Sequence, residues 1–173
     1  MNIFILDYNP VVAAQMLCDK HVVKMALESA QMLSSALSLC GVQGIQYDAS
    51  DWRDDWDSPE RAESIRAYRP THRNHPCTKW AMRVRNYQWL REHAEAICHE
   101  HTYRYGTVTQ TSRVIEQLPK FPQVSGPLKF ALAMDDVYKQ IDPVKAYQAY
   151  YRGEKSRIAV WTKRETPEFM HEN

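Results

Sequence analysis

His21, Lys24, Glu28, Gln31 and Ser35 share one face of a segment that is otherwise apolar. At 100° per residue they fall within an arc of about 80°. A carboxylate, an imidazole and an ammonium in such a stripe can hold and move protons. Two placements satisfy the pattern: the stripe lines a cleft in the core, or it is the solvent face of a surface helix. In the first case each polar group needs a partner, because burying one unpaired costs a few kcal/mol. Arg91 is a second oddity, set in the apolar stripe of Trp80, Val84, Tyr87, Ala94, Cys98 and Tyr105. Its guanidinium either reaches Glu28 or a ligand, or snorkels to the rim. His75 precedes Pro76 and reads as a helix start or as a substrate contact.

Two further groupings carry possible chemistry. His72, His75, Cys98, His99 and His101 are good zinc ligands by type, but their spacing matches no standard zinc module. We therefore expect no metal and no cofactor, and keep a metal-dependent hydrolase only as a third reading. Near the C-terminus Arg152, Lys155, Arg157, Lys163 and Arg164 interleave with Tyr150, Tyr151 and Trp161. Basic side chains track phosphates while aromatic rings stack on bases. The bland alternative is an amphipathic terminal helix with its rings packed inward. Asp135 and Asp136 read as a helix cap or a cation site.

The elements that must position these groups are mostly helical. Asn9-Pro10 is a cap with a first-turn proline, opening a helix through VVAAQML. Asp19 starts a long helix that Gly41 ends. His75-Pro76 opens another, running to Gly106, and one more covers 109–117. Asp142-Pro143 begins a basic, aromatic helix over 143–164. Residues 3–6 are a buried strand or a plug of the core, and KFALAM at 129–134 could be strand or helix. The segment 42–74 reads as a long loop, acidic around 48–60, that carries function or is mobile. The fold expected is mainly α: one compact domain over 1–173 with a central apolar helix and room for a few short strands.

Bulk composition sets the frame. The 173 residues carry a net charge of +1, with 10 Tyr and 5 Trp against 4 Phe and 5 Gly. A chain of this length buries roughly 70% of its unfolded surface and needs no covalent staple. Few glycines, and no Walker or GxGxxG pattern, argue against a phosphate loop. Four widely spaced cysteines, without a CxxC pair, suit reduced thiols in a cytoplasm. No signal peptide or membrane span is apparent.

LCDKHVVKMALES, with Asp19, His21 and Glu28, resembles the opening helix of the phage pyrimidine-dimer DNA glycosylases of the endonuclease V type. Those enzymes carry a D-x-H motif followed at the same distance by their catalytic glutamate. WLREHAEAICHE is similar to their Arg-containing central helix, and AYYRGEKSRIAVW to their aromatic, basic tail. Small bacterial proteins of a related set show likeness at Asp19–Glu28 and His75–Trp80. The resemblance implies that Glu28 is the catalytic carboxylate, that His21 supports it, and that an N-terminal amine attacks sugar C1′ to give a Schiff base. With Asn at position 2, too large for removal of the initiator, that amine is Met1's. The family's arginines around the glutamate are replaced here by Leu27 and Gln31. This favours processing of a modified base or nucleotide without chain cleavage.

The expectation is thus an enzyme acting on a nucleobase or deoxynucleotide, phage-encoded and working in a host cytoplasm. DNA or a nucleotide is its substrate, and no membrane is involved. Glu28, His21 and Met1 carry the chemistry. Lys24, Gln31, His75, Arg91, Arg152, Lys155 and Arg157 bind substrate. The alternative is a non-catalytic DNA- or nucleotide-binding protein using the same cleft.

Overall fold

A computed structural model describes residues 1–47, 65–122 and 128–171. The acidic run around 48–60 lies outside the described residues. Local sequence rules set the first two helices. The side chain of Asn9 accepts from the N–H groups of Val11 and Val12, with Pro10 in the first turn, and starts α1 (Pro10–Gln15). α2 (Asp19–Leu39) begins after a short break and ends at Gly41, whose φ of +68° favours glycine.

The helix expected from Pro76 to Gly106 is two helices. α3 (Pro76–Ala81) stops at Met82, Arg83 is extended, and α4 (Val84–Tyr105) starts afresh. Asn86 holds the break open, its amide donating to the Trp80 carbonyl at 2.8 Å. α4 then runs unbroken for about 33 Å and closes on Gly106 at φ +72°. α5 (Gln110–Gln117) follows. β1 (Ile45–Gln46) and β2 (Ile65–Arg66) form a two-residue parallel pair, Ile45 opposite Ile65. The chain is therefore a compact, mainly α fold with two short strands among the described residues.

Three segments depart from regular structure. Residues 3–6 take the expected form of a core plug and not of a strand: a buried thread, with Ile3, Ile5 and Leu6 at most 1% exposed. Its backbone groups find side-chain partners instead of a ladder: Gln148 donates to the Leu6 carbonyl and Trp89 to that of Tyr8. KFALAM is likewise irregular. Trp80 donates to the Lys129 carbonyl, the Tyr147 hydroxyl to that of Ala131 at 2.8 Å, and the Ala133 N–H to the Tyr147 hydroxyl.

The C-terminal helix expected over 143–164 is the third departure. α6 (Pro143–Tyr150), capped by Asp142, ends after two turns. One wider π-helical turn covers Tyr151–Lys155, with a 3-10 turn behind it. Beyond that the chain doubles back: the Asp19 N–H donates to the Val160 carbonyl, and the Asp19 carboxylate takes the Thr162 N–H and hydroxyl. These long-range bonds cannot be made from a continuing helix.

α2 and α4 pack along each other, α1 crosses α4, and α3 and α5 flank α2. α2 is not enclosed all round. Val23 and Leu27 are 58% and 41% exposed, so one side of the apolar helix faces out.

Candidate active site

The polar stripe of α2 is split between core and surface. His21 and Ser35 are buried, Lys24 is exposed, and Gln31 is half-buried. Ser35 is a fastener: its hydroxyl donates to the Thr71 carbonyl and accepts the Thr71 N–H, both at 2.9 Å. Ser34 beside it accepts the Tyr68 N–H. Segment 68–71 is thereby sewn onto α2, which carries the following His72 and His75 to the Glu28 side of the helix.

Glu28 lies between two cations. Its Oε2 is 3.7 Å from the Met1 α-amine and its Oε1 is 3.0 Å from Lys24 Nζ. The carboxylate side chain is only 15% exposed. The amine is brought there by the buried thread. Asn2 donates to the Ala133 carbonyl at 2.8 Å. Phe4, at the left-handed φ of +41°, lays its ring on His21 with centroids 4.3 Å apart. A non-glycine residue in that region costs of order 1 kcal/mol and needs packing to hold it.

His21 does not touch the amine or the carboxylate through any hydrogen bond. Its Nδ1 is 2.8 Å from the Tyr151 hydroxyl, which also accepts the Cys18 N–H. Burial, then the nearby charges of Lys155 and Lys24, depress its pKa to about 4, with Glu28 opposing. The His21 ring stacks on Phe4 and meets Tyr151 edge-on, so it supports the thread that carries the amine.

His75 caps α3, Nδ1 accepting the Cys77 N–H. That fixes the neutral tautomer with its proton on Nε2. Burial, the α-ammonium and His72 lower its pKa, and Glu28 raises it. The same terminal charge and Glu28 act on Cys77, whose thiol burial pushes up to about 12. Cys77 therefore stays protonated beside the site and is no nucleophile.

Arg91 belongs elsewhere. It is 4% exposed, and its guanidinium donates to the carbonyls of Leu118 and Ile115 and to Glu95. It closes the C-terminal end of α5, bonded there to Leu118, Ile115 and Glu95 and not to Glu28. Of the C-terminal cations, Arg152 donates to the Phe169 carbonyl and Arg157 is exposed. Lys155 sits 4.8 Å above the Tyr150 ring and is close enough to His21 to lower its pKa. Lys155 is thus tied electrostatically to α2. Asp136 pairs with Lys139 at 2.7 Å, and the Asp135 side chain makes no cap bond.

Among the described residues no three metal-ligating side chains converge. Cys98 turns inward to Thr109, while His101 binds the Thr107 carbonyl. Two cavities, of about 450 and 480 Å³, flank Gln15 and Arg164. Neither borders Met1 or Glu28.

Sequence reading missed Asn2, which carried no local signal, since its partner is 131 residues away. Tyr151 follows the inward-packed alternative and is a fully buried hub. Glu100 and Arg104 were legible as an i,i+4 pair and prove to centre a buried network: Arg104 binds Glu100 at 2.7 Å and Asp19 at 2.8 Å, and Arg164 binds Glu100 at 2.8 Å.

Residues 1–113 match the family model described as pyrimidine dimer DNA glycosylase, and the chain belongs to that family. No curated protein and no solved structure matches it. The matched span takes in Met1, Glu28, His75 and all of α4; α6 and the tail lie beyond it.

Proposed function

We propose that this member of the pyrimidine dimer DNA glycosylase family excises a damaged or modified pyrimidine from DNA, with the Met1 α-amine as nucleophile and Glu28 as the proton-transfer group. The observation that carries this reading is the 3.7 Å approach of that amine to Glu28. A primary amine is a nucleophile that can form a covalent intermediate at a sugar carbon.

The nitrogen lone pair forms a bond to C1′ as the glycosidic bond breaks, and the base leaves with that electron pair and takes up a proton. The new secondary ammonium gives one proton to the Glu28 carboxylate. Opening of the sugar ring returns a proton to O4′ and leaves a protonated Schiff base. Its cationic charge sits against Glu28. His75, whose ring feels the α-ammonium and Glu28, is a candidate donor to the departing base. Lys24, Gln31, Lys155 and Arg157 are candidates for holding the flanking phosphates and the base edge, and Arg152 a weaker one given its bond to Phe169.

Where this chain has Leu27 and Gln31 instead of arginines, phosphate grip close to Glu28 is reduced. We read this as favouring hydrolysis of the Schiff base over strand cleavage. The test is borohydride reduction during incubation with duplexes bearing a cyclobutane pyrimidine dimer, a modified pyrimidine or an abasic site. A covalent protein–DNA adduct, with base release exceeding strand breaks, is expected. Tight DNA binding with no adduct on any duplex overturns the amine mechanism and leaves a binding protein.

A further inference from the structure

We propose that Asn2 is a positioning residue for the nucleophilic amine, an inference that rests on the amine reading above. Ion pairing alone does not place the nitrogen: at 3.7 Å from Glu28 it is outside the 2.7–3.2 Å of a good hydrogen bond, and Lys24 competes for the same carboxylate. The next residue is fixed on both sides. Asn2 is 8% exposed; its Oδ1 accepts the Ile3 N–H at 2.8 Å and its Nδ2 donates to the Ala133 carbonyl at 2.8 Å. The first bond sets the side chain against its own backbone, and the second ties both to the 128–134 segment. Phe4, locked on His21, holds the chain two residues further on. Only the torsions of Met1 itself remain to aim the amine. A shift of about 1 Å in a reacting group can cost about 100-fold in rate, so the Asn2–Ala133 bond controls the attack without touching substrate. The size of Asn2 has a second effect, since it keeps Met1 in place and leaves the amine one residue outward from the anchor.

The experiment is single-turnover borohydride trapping of the full chain on a duplex with one abasic site, with the intact mass measured for each variant. Asn2→Leu retains Met1 and removes both bonds; Asn2→Asp keeps the acceptor and removes the donor to Ala133. Both are expected to trap at least about tenfold more slowly, with half-saturating DNA concentration unchanged, and the neutral Asn2→Leu should also leave the pH midpoint of trapping where it is. Tyr147→Phe serves as the comparison, because it loosens the same segment at Ala131 and Ala133 without bonding the terminus, and it should trap within about twofold of the parent chain. Asn2 variants that trap at the parent rate overturn the proposal. So does Tyr147→Phe slowing trapping as much as Asn2→Leu at a matching loss of Tm, since Asn2 would then act only through segment stability. If the unmodified chain gives no adduct, the amine reading falls and the role of Asn2 with it; an adduct that the Asn2 variants leave undiminished removes the Asn2 role alone.

Discussion

Asp19 and Glu28 stand on the same helix nine residues apart, and their surroundings are opposite. Asp19 is saturated: the Thr162 N–H and hydroxyl and the Arg104 guanidinium all bind it at 2.7–3.1 Å. Burial alone would raise its pKa, and those donors overcome it and hold the carboxyl below the usual range. Glu100, between Arg104 and Arg164, is held low in the same way. Glu28 has two ammonium groups, one of them on a 66% exposed lysine, and no backbone donor among the described residues. Buried carboxylates ringed by guanidinium groups build structure, since Arg forks match carboxylates and stay charged. A carboxylate faced by an amine that can lose its proton is equipped for chemistry.

The contrast breaks or sharpens under four measurements. Glu28→Gln should lower the trapping rate by about 10²–10⁴-fold, the range typical of a lost proton-transfer group, while Tm barely moves. Arg104→Met should do the reverse. It takes one partner each from Asp19 and the buried Glu100, which keep Thr162 and Arg164, a loss approaching about 3 kcal/mol in denaturant unfolding, with the rate per folded molecule kept.

Acid titration of stability comes next. His21 and His93 have pKa values depressed to about 4, each chiefly by burial. The unfolded chain takes up these protons near pH 6.5, so stability present above that value is lost as pH falls from about 6.5 toward 4. Asp19 and Glu100 add a further loss below the ordinary carboxylate range. His93→Gln should flatten the upper part of that slope; an unchanged slope would show that the burial of His93 is not what it reports. The smallest effect belongs to Lys24→Met. An exposed pair is worth about 0.2–1 kcal/mol, so stability should hardly change. The trapping rate should fall far less than in Glu28→Gln, because the Met1 amine still faces the carboxylate.

Much of the helical frame was legible because its signals are local. Asn9-Pro10, His75-Pro76, Asp142-Pro143, Gly41 and Gly106 mark helix ends through their own torsions and side chains. What was not legible depends on distant partners. The break at Met82 needs Asn86 to turn back on Trp80, and the end of α6 needs Asp19 to capture Thr162. Arg91 looked functional because a charge in an apolar stripe requires a partner, and periodicity does not tell a carbonyl cluster from a ligand. The site was half visible. Glu28 and Lys24 share a face by helix geometry alone, whereas the Met1 amine arrives there only through Asn2 and Phe4, whose partners lie on other elements.

The wide turn at Tyr151–Lys155 has a consequence for how this chain tolerates changes in length. A π-turn holds one residue more than an α-turn. That extra residue lets the Tyr151 hydroxyl point to Cys18 and His21 while Lys155 comes round over Tyr150. Gly153 marks the tight spot, because a Cβ there would run into the Tyr138 ring. Deleting a single residue in this turn would restore a regular helix and rotate all that follows by about 100°, carrying Lys155 away from Tyr150 and His21. An indel in this surface stretch should therefore behave like a core mutation.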